Sequence, residues 1–533
     1  MLGSQNLMLY NDIGKFARRF LPEGLFSKIS KKNGEGANRG LPFFICAVLA
    51  TFALTCLIGC EPPEDLDLKN FRAALFDLHR DDGFLSKENI DSLKKQALKA
   101  ESPKFKALKE PSGQIHVNSF ADFICKELEK EGIALSKQNV TDPISEHFNV
   151  NFFIKNSGNM YGYINPKSNF QTALFGLLAD LKLASKFTDS LTLHYVNTTI
   201  THQVLYNHDK VLQNYIQKIK PDEFAKLGRE KGGDPGETDF DKIFEQVLKK
   251  VDKNSIAILA ADFVLSPGKG VNTDDYLNLH GESIRIKFTQ KIAGQDLAVL
   301  VLKMESYFKG RYANKKSIDV GEITVQKRPY YIWFIGSPLH IAKIAQNKQA
   351  FVALKNNGYT GDMMVLDFFG AERQPEFKVA ASDKYIYSKK ERKIKAKRTK
   401  DKFSFSLEAN FNDPFRDSVF FANPANYKVS NNSYVLSVKQ PPRDKKFKHR
   451  LVLDADQIAK GELKITAVDK IPDWIDNSNS TDDVNIKRDV SEQSKTYGFK
   501  RLIEGVYLAF YPNAPIKEPH VLQTINLNIQ LED

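Results

Sequence analysis

The sequence predicts an α/β protein. A doubly wound, mostly parallel sheet over residues 148–385 is followed by a basic linker (386–402) and a β-rich, sandwich-like region over 403–533. Three patterns predict this. Between 148 and 355, apolar runs such as Ser255–Ala261 alternate with stretches of helical period, such as Phe240, Ile243, Phe244, Val247, Leu248 and Val251. Beyond 403 the period falls to two, as in Phe403-Ser-Phe405-Ser-Leu407 and Ile525-Asn-Leu527-Asn-Ile529-Gln-Leu531. At 533 residues and 42% hydrophobic content, the chain can bury several cores.

Composition narrows the function classes. The formal net charge is +12, of which four come from residues 1–59. The remaining excess is spread thinly and no recognition motif accompanies it, which argues against a nucleic-acid partner. Of the four cysteines, Cys46 and Cys56 lie in an apolar run, Cys60 ends it and Cys125 stands alone. Such a set cannot build a disulfide framework once the leader is removed.

The N-terminus reads as an export signal. Residues 1–40 are polar and basic, Leu41–Gly59 are apolar, and a polar stretch, Glu61-Pro62-Pro63-Glu64-Asp65, follows. The junction Leu57-Ile58-Gly59-Cys60 resembles the lipobox of bacterial lipoproteins, and that resemblance implies lipidation of Cys60. An uncleaved membrane anchor is the alternative. Both readings tie the mature chain to a membrane of the bacterial cell envelope, on the non-cytoplasmic side, most simply the outer membrane.

Residues 60–147 read as a tether and a small helical or α+β module. The stretch from Asp77 to Gly83, with Glu88 beyond, is close to a calcium loop, but Asp82 holds the position that needs glycine and His79 replaces an oxygen ligand. A helix ending in a solvated Asp-Gly turn is the simpler reading.

In the central region a strand over Val150–Ile154 breaks into a polar loop, Lys155-Asn-Ser157-Gly-Asn159. A helix carrying Phe170, Leu174 and Leu178 follows. Leu191–Val196 reads as a strand, Thr198–Val204 as an edge strand and Asp209–Ile219 as a helix. A glycine-rich loop then reaches Gly236-Glu-Thr238 and the Phe240 helix. Ser255–Ala261 is a buried strand closed by Asp262. A helix at 273–289, strands at Leu297–Lys303 and Tyr330–Ile335, and a helix from Pro338 complete the order. Strands alternating with helices argue a parallel sheet covered on both faces, with ligands expected at the strands' carboxyl ends.

Over roughly 148–355 this arrangement resembles the von Willebrand factor A domains. Their metal is held by an Asp-x-Ser-x-Ser loop, a threonine opening a later helix and an aspartate closing the next strand. Thr238 and Asp262 match the latter two elements. In the first loop Ser157 is retained, Asn159 replaces the last serine, and Lys155 replaces the leading aspartate. An ammonium offers neither the anion nor the lone pair that a hard cation needs. The expectation is therefore that Lys155 stands in the metal's place, pairs with Asp262 and meets the oxygens of Ser157, Asn159 and Thr238. No cofactor is expected. Were a divalent cation retained, Ser157, Asn159, Thr238 and Asp262 would hold it. Thr238 also reads as a plain helix N-cap and Asp262 as a turn residue.

No catalytic constellation emerges. Ser157 lacks the Gly-x-Ser-x-Gly elbow and a placed histidine. His280-Gly-Glu-Ser283 and the other histidines show no metal-ligand spacing. Ser266-Pro-Gly-Lys-Gly270 lacks the full phosphate-loop pattern. In the last third, half-buried strands at Tyr434–Val438, Arg450–Leu453 and Glu462–Val468 suggest immunoglobulin-like modules. Thr496–Phe510 reads as a short helix and strand closing them. By resemblance, the expected role is non-enzymatic binding of an unidentified protein through Lys155, Ser157, Asn159, Thr238 and Asp262. The alternatives are glycan binding by the β-rich region and, third, a hydrolase built on Ser157.

Overall fold

Asp-, Ser- and His-capped helices open the described part of the chain. The computed structural model describes residues 65–532, apart from short stretches at 83–84, 131–132, 134, 185–186, 207–208, 237, 266–270, 348–350, 368–374, 399–401, 412 and 440–446. The export signal, Cys60, Gly83 and the Ser266–Gly270 loop lie outside the described residues. Helices α1 (Leu66–Asp82), α2 (Lys87–Lys99) and α3 (Val117–Glu129) come first. The Ser86 side chain accepts from the Asn89 amide at the start of α2, and His116 does the same for Ser119 at the start of α3. No helix among the described residues is long and apolar enough to cross a membrane.

The central sheet has seven strands: β1 (Phe148–Lys155), β2 (Thr188–Val196), β3 (Ile200–Tyr206), β4 (Ser255–Ala261), β5 (Ala298–Ala313), β6 (Asp319–Gly336) and β7 (Tyr359–Asp367). Their order is β3-β2-β1-β4-β6-β5-β7. Only β1 with β2 and β1 with β4 are parallel; the other neighbours are antiparallel. The expectation of a mostly parallel sheet is therefore corrected to a mixed one. The reason lies between Lys303 and Tyr330, where no helix intervenes. Phe308, Tyr312, Ile323 and Val325 are buried on strands that simply continue, and the chain reverses through Asn314–Ser317. Parallel neighbours need a long crossover, whereas a turn makes a hairpin.

Helices cover both faces, as the unbroken apolar run of β4 requires. On one face lie α4 (Phe170–Ala179), α5 (Asp209–Gln217), α6 (Pro221–Leu227) and, further along, the helix at Pro338–Gln346, with Phe152, Ile154, Ile258 and Phe334 beneath them. The other face carries α7 (Phe240–Lys249) and α8 (Thr273–Gly294) over Phe153, Leu259 and Trp333.

The last third does not stay in one layer. Strands β8 (Glu376–Val379), β11 (Phe403–Asn410), β13 (Val435–Lys439) and β14 (His449–Ala455) form one sheet. A second contains β9 (Tyr385–Ser388), β10 (Lys393–Ala396), β12 (Tyr427–Val429), β15 (Gly461–Asp469) and the final strand, His520–Leu531. Phe405, Leu407 and Leu451 of the first share a core with Ile394, Ile465 and Ile525 of the second, so the two pack face to face. The stretch read as a basic linker thus contributes two strands, because Ile394 and Ala396 alternate with its lysines and fill the core.

Residues 473–511, expected within the β region, instead cover the central sheet. The helix Phe499–Phe510 buries Phe499, Leu502, Ile503 and Val506 against that sheet's second face. It lies so close to α8 that a Cβ on Gly505 would come within 2.4 Å of the Gly281 carbonyl oxygen. The chain therefore crosses between the two layers of structure at Asp367, Asp469 and Tyr511. One guanidinium gathers these crossings. Arg416 Nε lies 2.7 Å from Asp469, and its Nη1 lies 3.3 Å from Asp367 and 3.0 Å from Asp413. The Tyr511 hydroxyl donates to the Asp367 carbonyl at 2.7 Å, and its ring stacks on His520 at 3.8 Å.

Candidate functional site

The site begins where two parallel strands end side by side. β1 pairs with β4 residue for residue up to Ile154 and Ala260, so Lys155 and the residues after Ala261 emerge together. Side chains alternate along β1: Ile154 belongs to one core and Phe153 to the other. Lys155 follows Phe153 in that alternation, onto the face capped by α7.

There its ammonium donates to Asp262 Oδ1 at 2.6 Å and to the Val264 carbonyl at 3.4 Å. It also lies 5.1 Å from the Phe240 ring centroid, within cation–π range. Both charged side chains are essentially inaccessible, at 0% and 1%. Burial pushes the Lys155 ammonium below its ordinary range, and the Asp262 carboxylate opposes that shift. The chain turns back after Asp262 because Phe263 adopts a left-handed φ of 53°. A non-glycine residue there is strained. Stacking of Phe263 between Phe240 and Trp333, each at 4.9 Å, supplies contacts that hold it.

The other expected residues lie nearby with different partners. Ser157, extended at φ −133°, leads the short 3₁₀ turn Gly158–Tyr163, and its hydroxyl has no hydrogen-bond partner among the described residues. Asn159 exchanges two hydrogen bonds with Ala313 at the end of β5, at 2.9 and 3.3 Å. Thr238 is buried, and its carbonyl accepts from the Tyr276 hydroxyl. The residue that caps α7 is its neighbour Asp239, which accepts from the Lys242 amide at 3.2 Å. Of the expected oxygen partners of Lys155, only that of Asp262 is in contact; the Val264 carbonyl supplies the other acceptor.

The hairpin of β5 and β6 closes over this loop. Gly162 lies where any Cβ would meet the Phe308 ring at 2.3 Å, and Gly310 abuts Gly162. The Gly158 amide is tied to the Pro235 carbonyl at 2.8 Å, linking the first loop to the glycine-rich one. All five expected site residues are buried as a result. The accessible surface nearby belongs to Arg229, Lys231 and Asp234.

Sequence reading missed a second buried charge beside the loop. Arg328 is 1% exposed, stacked 4.6 Å from the Tyr312 ring, and donates to the Gln493 carbonyl at 2.8 Å. Tyr312 in turn donates to the buried Asp483 at 2.7 Å, and burial holds that carboxyl above its ordinary range. Thr496 donates to the Asp262 carbonyl at 3.4 Å. Nothing in the local pattern around Arg328, Asp483 or Thr496 marks them, since their side-chain hydrogen-bond partners lie more than a hundred residues away in the chain.

The chemistry of the donor set follows. Asp262 already neutralises an ammonium, and the described residues contain no group of three or more His, Cys, Asp or Glu side chains able to hold a metal ion. The residues present suit a lysine-filled site better than a hard cation. Compared with known proteins, the chain matches no family model and no curated protein.

Proposed function

We propose that this chain is a membrane-tethered lipoprotein of the bacterial cell envelope with a non-enzymatic, protein-binding or assembly role. Its central domain is read as a degenerate von Willebrand A-like unit in which a lysine replaces the metal. The observation that carries this reading is the buried Lys155–Asp262 pair at the carboxyl ends of adjacent parallel strands, reached by the loops that carry Ser157 and Thr238. The antiparallel hairpin in the other half of the sheet departs from that family's pattern, so the likeness rests on β1, β2 and β4 with their loops.

Burial assigns Lys155, Ser157, Asn159, Thr238 and Asp262 the task of holding the loop face in shape. Partner contact then falls to the exposed rim around Arg229, Lys231 and Asp234. A static ion pair holds this face without metal. Breaking such a pair costs about 3–5 kcal/mol, enough to make the loops' order depend on it.

Photo-crosslinking tests the reading in the native envelope. A crosslinker at Asp234 should trap a protein, and one at Lys253, beyond the opposite strand ends, should not. No adduct at Asp234, or equal adducts at both positions, would sink the proposal.

A further inference from the structure

The outer face of the five-stranded sheet carries a second surface that the loop face does not use. Ile394, Leu463, Ile465 and Leu527 point into the sandwich core. Alternation then turns their neighbours outward, and the register places those neighbours side by side. Lys393 lies beside Asn528 and Lys395 beside Gln530. Across the final strand, Glu462 lies beside Asn528, Lys464 beside Asn526 and Thr466 beside Thr524. Lys428 flanks Thr466 at the far edge.

Charge on this face is net positive. Glu391 and Glu462 each meet a lysine, Lys393 at 3.1 Å and Lys464 at 3.5 Å. Lys390, Lys395 and Lys428 are exposed and have no carboxylate partner among the described residues. The remaining outward groups on the central strands are hydroxyls and amides, of which Gln530 is exposed while Asn526 and Asn528 are half-buried with their side-chain oxygens covered. Two large apolar side chains are exposed with them: Ile386, 56% exposed, beside Lys395, and Val521, 47% exposed, at the start of the final strand.

We propose that this face binds an acidic polysaccharide. Outward residues recur about every 7 Å along a strand, and strands lie about 5 Å apart. An extended polymer lying along the final strand would therefore pass Lys464, Lys393 and Lys395 in turn, with the exposed amide of Gln530 beside the last. Ammonium groups suit uronate or sulfate oxygens, and amides suit sugar hydroxyls. A membrane-seeking face would need several apolar side chains to enter the lipid, and single-stranded nucleic acid would need aromatic platforms. Neither is present on the outward positions named here. The surface is independent of the loop face, so the two proposals stand or fall separately.

The test is retention of the full chain on immobilised polygalacturonate, with neutral dextran, poly-L-glutamate and phosphatidylglycerol vesicles as comparisons. The expected result is salt-sensitive retention on polygalacturonate and not on dextran, weakened on the order of tenfold by Lys393→Gln with Lys395→Gln. The pair Lys95→Gln and Lys99→Gln on α2 removes the same charge elsewhere and should leave retention unchanged. Both double variants should melt with the parent. Absence of retention, equal loss in both variants, or equal binding to poly-L-glutamate or to vesicles would overturn the proposal.

Discussion

Lys155 and Arg416 are both buried cations, and their surroundings differ. Lys155 meets one carboxylate, one carbonyl and one aromatic ring, all from loops and a helix of the central domain. Arg416 meets three carboxylates, two of them (Asp367 and Asp469) at crossings between the central sheet and the sandwich and the third, Asp413, from its own loop. An ammonium is a compact point charge with three donors, which a few acceptors from one neighbourhood can meet. A guanidinium is a planar fork with several donors and can tie distant chain segments together. The first pair fixes the shape of a face; the second cluster fixes how two layers of structure are joined.

Removing Arg416 should have the largest effect. Arg416→Met leaves Asp367 and Asp413 buried without their cation, so the expected loss is about 5 kcal/mol or more, read by urea denaturation. A loss under about 1 kcal/mol would mean the cluster is not a structural tie. Arg416→Lys should recover little, because a point charge cannot reach three acceptors in the same geometry.

Lys155→Met comes next, at about 3–5 kcal/mol, since Asp262 would be stranded. Adding Asp262→Asn should restore most of that stability, because the pair as a whole contributes little once its desolvation is counted. Failure of the double variant to recover would show that the ammonium does more than neutralise Asp262.

Metal response sharpens the same contrast. The parent chain should melt at one temperature in EDTA, magnesium, manganese or calcium. A ligand at a hundredfold excess over its Kd adds about 2.7 kcal/mol to a native state that binds it, so a retained site would be plain. Lys155→Asp should create a magnesium- or manganese-dependent rise, while a parent response abolished by Asp262→Ala would refute the lysine-filled site.

Acid sensitivity should be smaller and shared by both regions. Burial lowers His520, beside the Arg416 junction, to about 4 and His194, stacked on Phe153, to about 3. Both lie below the ordinary histidine value near 6.5, so between these limits the unfolded chain binds more protons. Stability should therefore be full above roughly pH 6.5 and fall as pH drops toward 4, by about 1–2 kcal/mol per histidine at pH 5. Urea midpoints at pH 7 and 5 check this, and His194→Gln should flatten the slope by its share.

Much of the local architecture was legible in the chain. The Phe240 stripe, the all-apolar Ser255–Ala261 strand and the edge strand near Thr198–Val204 all carry periodicities set by neighbours a few residues apart. The charge-bearing end of the site was legible too, because Lys155 and Asp262 each close an apolar run, and such runs end at the sheet's rim. Less legible was the sheet's direction after β4. Residues 304–329 alternate too weakly around Gly310, Lys309 and Arg311 to announce a continuing strand.

The sequence by itself determined which segments become strands and helices, because their side-chain periods are local properties of the backbone. The tertiary structure alone decided that Phe499–Phe510 covers the central sheet, that the hairpin seals the Ser157 loop, and that Arg416 finds three acids. Those outcomes depend on which apolar face remains uncovered once the strands have paired, and on charges such as Arg416, Asp367 and Asp469 that meet only when segments about fifty residues apart are packed together.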